Sequence, residues 1–187
     1  MTGIFLDRDG VIIRKAPEGE YITQWAEVEF LSGSIEAIAC LHRFGLKVII
    51  VTNQRGVATG KIPVSSLEEI HNKMRAVITD RGGVVSAIYC CTHDISESCL
   101  CRKPKPGMLL RAAKEFSLNL ADCWMVGDTT VDIEAGKRAG CKTALITQAA
   151  ELTNLTEEPD VRAESLEIFA QQILASSRSD FQTFAIG

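Results

Sequence analysis

Asp7 and Asp9, in the run Asp7-Arg8-Asp9-Gly10, are the first residues of the chain whose types and spacing could do chemistry. They follow a short apolar segment. Carboxylates at i and i+2 of an extended chain project to one side, and Gly10 lets the backbone turn away at once. A carboxylate is a feasible nucleophile toward phosphorus, giving an aspartyl-phosphate, while a neighbouring acid protonates the departing oxygen. Two such groups close together do not both stay ionised cheaply without a cation nearby. The competing reading is a solvated turn with a helix cap, where Asp and Gly are common.

Three further groups have the same character. In Thr52-Asn53-Gln54-Arg55-Gly56 a hydroxyl and amides follow an apolar run and can donate to phosphate oxygens, although such residues are ordinary in loops. Arg102-Lys103-Pro104-Lys105-Pro106-Gly107 sets three cations in four residues, stiffened by prolines ahead of a helix. Lys acts there as a point charge and Arg as a planar fork for a second anion, unless the segment is only a solvated basic loop. In Gly127-Asp128-Thr129-Thr130-Val131-Asp132, Asp128 is a candidate magnesium ligand with Asp7 and the backbone carbonyl of Asp9. Asp132 reads equally well as a first-turn helix acid favoured by the helix dipole.

Cys91-Thr92-His93 and Cys99-Leu100-Cys101 bring three thiols and one imidazole into eleven residues, the ligand set of a closed structural zinc site. Cys91 and His93 share one side of an extended segment, so Cys91 is the expected ligand and Cys90 points into the core. A redox-active thiol cluster or incidental buried cysteines are the alternatives. Cys40, Cys123 and Cys141, with Cys90, are expected as core thiols. A metal here would order the loop from about 90 to 103, which leads directly into Arg102 and Lys103.

Elements must position these residues. Apolar β-rich runs at 3–6, 47–51, 84–90, 123–126, 142–146 and 160–163 alternate with helical segments at 33–44, 63–81, 106–116, 131–139 and 165–175. Leu67, Ile70, Met74, Val77 and Ile78 recur at helical spacing and mark a core face. Strands separated by helices imply crossovers in a mostly parallel sheet, hence a three-layer α/β/α sandwich of Rossmann-like character. Ligands bind such sheets at the carboxyl ends of the strands, where the motifs lie. The long irregular stretches 14–30 and 91–106 are candidate functional loops, and the tail from about Ser176 is expected to be loose.

The 187 residues suit one domain, and 46% hydrophobic with 24% charged residues excludes a disordered chain. No apolar run approaches the ~18 residues of a membrane span. Charged residues in MTGIFLDRDG stand where a secretory signal needs its apolar stretch, so a cytoplasmic protein is expected. A net charge of -4 argues against non-specific nucleic-acid binding, and seven cysteines in that compartment argue against a disulfide framework.

Taken in order, Asp7-x-Asp9, Thr52, Lys103 and Gly127-Asp128 resemble the four motifs of the haloacid dehalogenase superfamily of phosphohydrolases, over roughly 4–150. The resemblance implies Asp7 as nucleophile, Asp9 as general acid and then base, Thr52 and Lys103 as phosphoryl stabilisers, and Mg2+ at Asp7, Asp9 and Asp128. Cys-x-His and Cys-x-Cys before Arg-Lys-Pro also resemble two bacterial families within it, acting on D-glycero-D-manno-heptose 1,7-bisphosphate and on histidinol phosphate. Thr52-Asn53-Gln54-x-Gly56-x-Ala58-x-Gly60 and Arg102-Lys103-Pro104-x-Pro106-Gly107-Met108 look more like the heptose family. That resemblance implies a sugar bisphosphate substrate, Arg102 on the phosphate not removed, Zn2+ at Cys91, His93, Cys99 and Cys101, and a role in nucleotide-activated heptose biosynthesis. Asn53, Gln54 and Arg55 are expected beside the substrate. Arg55 stands where the heptose family usually has Ser, Val11 where Thr is frequent, and Thr129 where some members have Lys. The motif spacings leave no room for a cap domain, and the chain is expected to act as a monomer. A non-catalytic zinc-stabilised binding module is the alternative from another class.

Overall fold

The computed structural model describes residues 2–147 and 156–183. Its strands are β1 (Gly3–Leu6), β2 (Lys47–Asn53), β3 (Val85–Cys91), β4 (Trp124–Gly127), β5 (Lys142–Ile146) and β6 (Val161–Ala163). They form one parallel sheet in the order β3-β2-β1-β4-β5-β6. The helices are α1 (Ser34–Arg43), α2 (Val64–Asp80), α3 (Gly107–Phe116), α4 (Thr130–Ala139) and α5 (Leu166–Thr183).

Both faces of the sheet are covered, which is why its central strands read as unbroken apolar runs. Ile4 and Leu6 of β1 pack with Ile38 and Leu41 of α1, Ile70 and Met74 of α2 and Phe169 of α5. Phe5, between them in sequence, packs on the opposite face with Leu109 and Ala112 of α3 and Ala135 of α4. The result is the expected three-layer sandwich. Each fully buried side chain of this size contributes roughly 1.5–3 kcal/mol. On α2 the stripe Leu67, Ile70, Met74 and Ile78 is buried, with Val77 at its margin.

The strand order reverses at β1: β2 and β3 lie on one side, while β4, β5 and β6 lie on the other. A crevice opens at such a reversal. β1 is in register with both neighbours, Leu6 opposite Ile50 and Val126, and the Asp7 N–H donates to Val126 O at 2.9 Å. Asp7 and Asp128 therefore emerge side by side. β2 runs two residues further than expected, because Thr52 and Asn53 stay paired with Cys90 and Cys91 of β3. Both residues thus sit on the last rungs of the sheet rather than in the loop after it.

The stretch from 14 to 30 folds down instead of standing away. Ile13 bridges to Phe30, Arg14 pairs with Glu29 at 2.8 Å, and Trp25 lies edge-on to Phe30 and beneath the Lys73 ammonium of α2. Among the described residues no separate cap stands over the strand ends. α5 continues to Thr183, through the point where a loose tail was expected, and 184–187 lie outside the described residues, as does the end of the family resemblance at 148–150. No described helix is long and apolar enough to cross a membrane.

Two of the four expected core thiols differ. Cys123 and Cys141 are buried, but Cys40 and Cys90 are only half-buried. β3 is an edge strand whose faces are incompletely covered, which leaves Cys90 partly open.

Candidate active site and metal centres

Asp7 leaves β1 with one carboxylate oxygen fixed. Oδ1 accepts from the Arg8 N–H at 2.7 Å and lies 2.9 Å from Lys103 Nζ. Oδ2 carries neither bond and is the oxygen available to attack. Lys103 Nζ also reaches Asp132 Oδ1 at 2.6 Å and Val51 O at 2.9 Å, so its three donors have three acceptors. The Lys103 and Asp132 side chains are 1% and 0% exposed. Burial works against the Lys103 charge, but Asp132 and Asp7 outweigh it and hold the ammonium above its usual range. Burial raises Asp7 to about 7 against the pull of Lys103, with Asp132 and Asp9 adding to the rise. Burial raises Asp128 too, partly countered by an ion pair with Lys15.

One oxygen each from Asp7, Asp128 and Asp132 lie within 4.8 Å of one another. Octahedral oxygens at ~2.1 Å from magnesium are about 2.9–4.2 Å apart, so the set fits that ion. A divalent cation would also relieve the repulsion among these carboxylates. Two glycines make the approach possible. Gly10, at φ 83°, and Gly127 would each drive a Cβ into a carboxylate, Asp128 and Asp132 respectively. Asp132 is at once the helix acid expected from its position and a member of the cluster: its Oδ2 accepts from Thr129 N and Oγ1 in a capping box at the start of α4.

Asp9 is held separately. Its Oδ2 accepts from Arg8 Nε at 3.0 Å and from Gln54 Nε2 at 2.9 Å, while Oδ1 accepts from Arg8 Nη2 at 3.0 Å. Oδ1 therefore has the spare capacity for a transferable proton. Gln54 also donates to Thr52 Oγ1 at 2.8 Å, tying the ends of β1 and β2 together. Thr52, Gln54 and Arg8 are all buried.

Asn53 clamps the lysine segment, donating to Lys103 O and accepting from Lys103 N, both at 3.1 Å. Arg55 donates through Nε to Asp94 Oδ2 at 2.7 Å, across to the cysteine loop. Backbone donation from Ser96 and the Arg55 bond bring Asp94 down to about 2. Gln54 and Arg55, expected beside the substrate, thus spend these bonds on internal contacts. Beside the carboxylates a cavity of about 430 Å³ is lined by Asn53, Ser98, Arg102, Lys103, Lys105 and Arg138 among others. Arg102 Nη1 is buried there without a hydrogen-bond partner, a donor suited to an anionic group.

The thiol cluster assembles as expected, from the end of β3 and the loop beyond. Cys91 Sγ lies 3.6 Å from Cys99 Sγ and 3.3 Å from Cys101 Sγ, and Cys99 and Cys101 are 3.4 Å apart. His93 Nδ1 is 3.6 Å from Cys91 and 3.2 Å from Cys101. Tetrahedral zinc with Zn–S ~2.3 Å requires S···S edges of about 3.8 Å, so small shifts of each ligand admit the ion. Lys105 Nζ braces the loop by donating to Ser98 O and Cys99 O at 2.8 and 2.7 Å.

Arg8, Lys15 and His71 were missed. Arg8 lies between the two aspartates and carries no motif of its own, and Lys15 lies in the candidate functional loop 14–30 without a residue type that singles it out. His71 sits on α2, 3.3 Å from Arg8 Nη1, at a position with no motif.

A family model described as HAD-hydrolase-like matches residues 100–168. A D-glycero-beta-D-manno-heptose-1,7-bisphosphate 7-phosphatase of Pseudomonas putida is 41% identical over 146 residues, covering 78% of this chain and 82% of its own. The enzyme of that name from Neisseria meningitidis serogroup A is 34% identical over 170 residues, covering 90% and 89%. The crystal structure of D,D-heptose 1,7-bisphosphate phosphatase from B. bronchiseptica, complexed with magnesium and phosphate, superposes with a TM-score of 0.87 at 35% identity, covering 94% of this chain and 99% of that one.

Proposed function

Since the chain belongs to the family of the D-glycero-beta-D-manno-heptose-1,7-bisphosphate 7-phosphatases, among the HAD-like hydrolases, we propose that it removes the 7-phosphate of that sugar by way of an aspartyl-phosphate. The observation that carries this reading is the meeting of Asp7, Lys103, Asp128 and Asp132 at the strand-order reversal, beside a cation-lined cavity.

Asp7 Oδ2 attacks phosphorus and forms an acyl-phosphate bond as the bond from phosphorus to the sugar oxygen breaks. Asp9 Oδ1 gives its proton to that oxygen, which leaves as a hydroxyl. Asp9, now a carboxylate, takes a proton from water, whose oxygen attacks the same phosphorus and releases inorganic phosphate and Asp7. Lys103 holds Asp7 for the attack and supplies positive charge, and Thr52 a hydroxyl donor, to the equatorial oxygens of the transferring group. Asp7, Asp128 and the Asp9 carbonyl, with Asp132 beside them, are the groups that would hold Mg2+, which when bound neutralises phosphate charge and keeps Asp7 ionised. Arg102, with its free buried donor, takes the phosphate that stays. Asn53 and Gln54 act by holding Lys103 and Asp9, and Arg55 by holding the cysteine loop against them. Zn2+ at Cys91, His93, Cys99 and Cys101 is structural, since four protein ligands leave no place for water.

The rest of the reading is one phosphatase domain acting as a cytoplasmic monomer on a soluble sugar phosphate, without nucleic acid or membrane, in nucleotide-activated heptose biosynthesis. The test is phosphate release with magnesium across sugar 1,7-bisphosphates, monophosphates and histidinol phosphate. A kcat/KM highest for the heptose bisphosphate is expected; a clear preference for histidinol phosphate, or no hydrolysis with tight salt-dependent nucleic-acid binding, overturns it.

A further inference from the structure

Asp9 lies at the end of a three-residue relay that reaches well outside the reacting centre. The Arg8 side chain, 2% exposed, offers two donors to Asp9 at 3.0 Å each and a third direction, through Nη1, to His71 Nε2 at 3.3 Å. A guanidinium only donates, so His71 Nε2 must be the acceptor and the ring must be the neutral tautomer protonated at Nδ1. Burial, with the Arg8 charge adding, brings His71 down to about 4, in keeping with an uncharged ring at neutral pH. His71 is carried in the middle of α2, a helix anchored by Leu67, Ile70, Met74 and Ile78 in the core. Without an acceptor at this point, a buried guanidinium N–H would be left unpaired, and turning Arg8 to satisfy it would break the two-point hold on Asp9.

We propose that His71 is a positioning residue for the proton transfer: through Arg8 it fixes the plane of the Asp9 carboxyl group, so that Oδ1 meets the leaving sugar oxygen. The proposal rests on the phosphatase reading above. It makes a prediction that loss of packing alone does not. The first irreversible step, reported by kcat/KM, needs the proton of Asp9 when the leaving group is a sugar alkoxide. It needs that proton hardly at all when the leaving group is a stable aryloxide such as p-nitrophenolate.

The experiment compares His71→Leu, His71→Asn and His71→Gln with the wild-type protein on the heptose bisphosphate and on p-nitrophenyl phosphate, alongside thermal melts. The leucine variant is expected to lose about tenfold or more in kcat/KM on the sugar and no more than about twofold on the aryl ester. Glutamine, whose carbonyl can accept from Arg8, is expected to recover most of the loss. Asparagine, which is too short to reach, repeats the leucine result and stands in for it if the leucine variant does not fold. Equal losses on both substrates, wild-type behaviour of the leucine variant, or glutamine no better than leucine overturns the proposal. Wild-type protein that hydrolyses neither ester overturns the phosphatase reading itself, and this inference with it.

Discussion

Among the described residues, the two clusters able to hold metal are built on opposite plans. The carboxylates of Asp7, Asp128 and Asp132 stand on the ends of adjacent central strands and the first turn of α4, with cores on both faces of the sheet beneath them. Internal cations, Lys103 above all, already hold them in place. The thiols and imidazole of the other cluster sit at an edge strand and on a loop from 91 to 106 whose Ile95 and Leu100 are 60% and 80% exposed. Asn53 and Arg138 hold the far end of that loop at Lys103 and Pro104, whereas between Asp94 and Cys101 it is tied by the Lys105 and Arg55 bonds and the ligands themselves. The difference teaches where order comes from: the fold preorganises the first site, whereas a metal bound at the second would itself order the loop, its binding energy becoming local folding energy.

The largest effect should come from Asp7→Asn, which removes the nucleophile but little volume. Phosphate release is expected to fall at least about a thousandfold while the melting transition persists; substantial activity in this variant breaks the account of the first site. Lys103→Met comes next. It leaves two buried carboxylates without their cation, so a loss of about 3–5 kcal/mol in chemical denaturation is expected together with lost activity. A stability change near zero would mean that the cluster is not held by the ion triad.

Cys99→Ser tests the second plan. Elemental analysis should find about one zinc per wild-type chain and none in the variant, with rapid proteolysis confined to 91–106 and the sheet core intact. Global unfolding instead would show that the loop metal supports the whole fold and erase the contrast. The smallest effect is a pH dependence. Asp7, raised to about 7 from 3.8, binds its proton more tightly in the native protein than in the unfolded chain. That contribution is therefore present at acid pH and lost as pH rises through about 7. Magnesium replaces the proton, so the rise in Tm on adding it should grow between pH 5.5 and 8. A rise independent of pH would mean that Asp7 is not a ligand.

Much of this was legible in the sequence because parallel sheets write themselves plainly. Continuous apolar runs between amphipathic helices marked the strands to within one or two residues, and polar residues at their carboxyl ends marked the site. Cys91 against Cys90 followed from strand alternation alone. What escaped were relations between sequence-distant side chains. Asp132 joins the carboxylates only because Gly127 has no side chain, a fact of packing that spacing does not reveal. Arg8 turns inward onto Asp9 and there meets His71, more than sixty residues later in the chain. The burial of Cys90 depends on β3 lying at the sheet edge, and strand order has no local signature.

The pairing of β1 with β4 sets a scale. Parallel strands lie ~4.8 Å apart because of their backbone hydrogen bonds, and each residue advances the chain by ~3.3 Å while reversing the side. Asp7 and Asp128 start from neighbouring rungs of that lattice. The spacing of the two backbone positions from which the carboxylates spring is thus a backbone constant. Moving either aspartate by one position would swing it away from the gap altogether, so the ion's size is matched by a ruler that mutation can discard but not finely adjust.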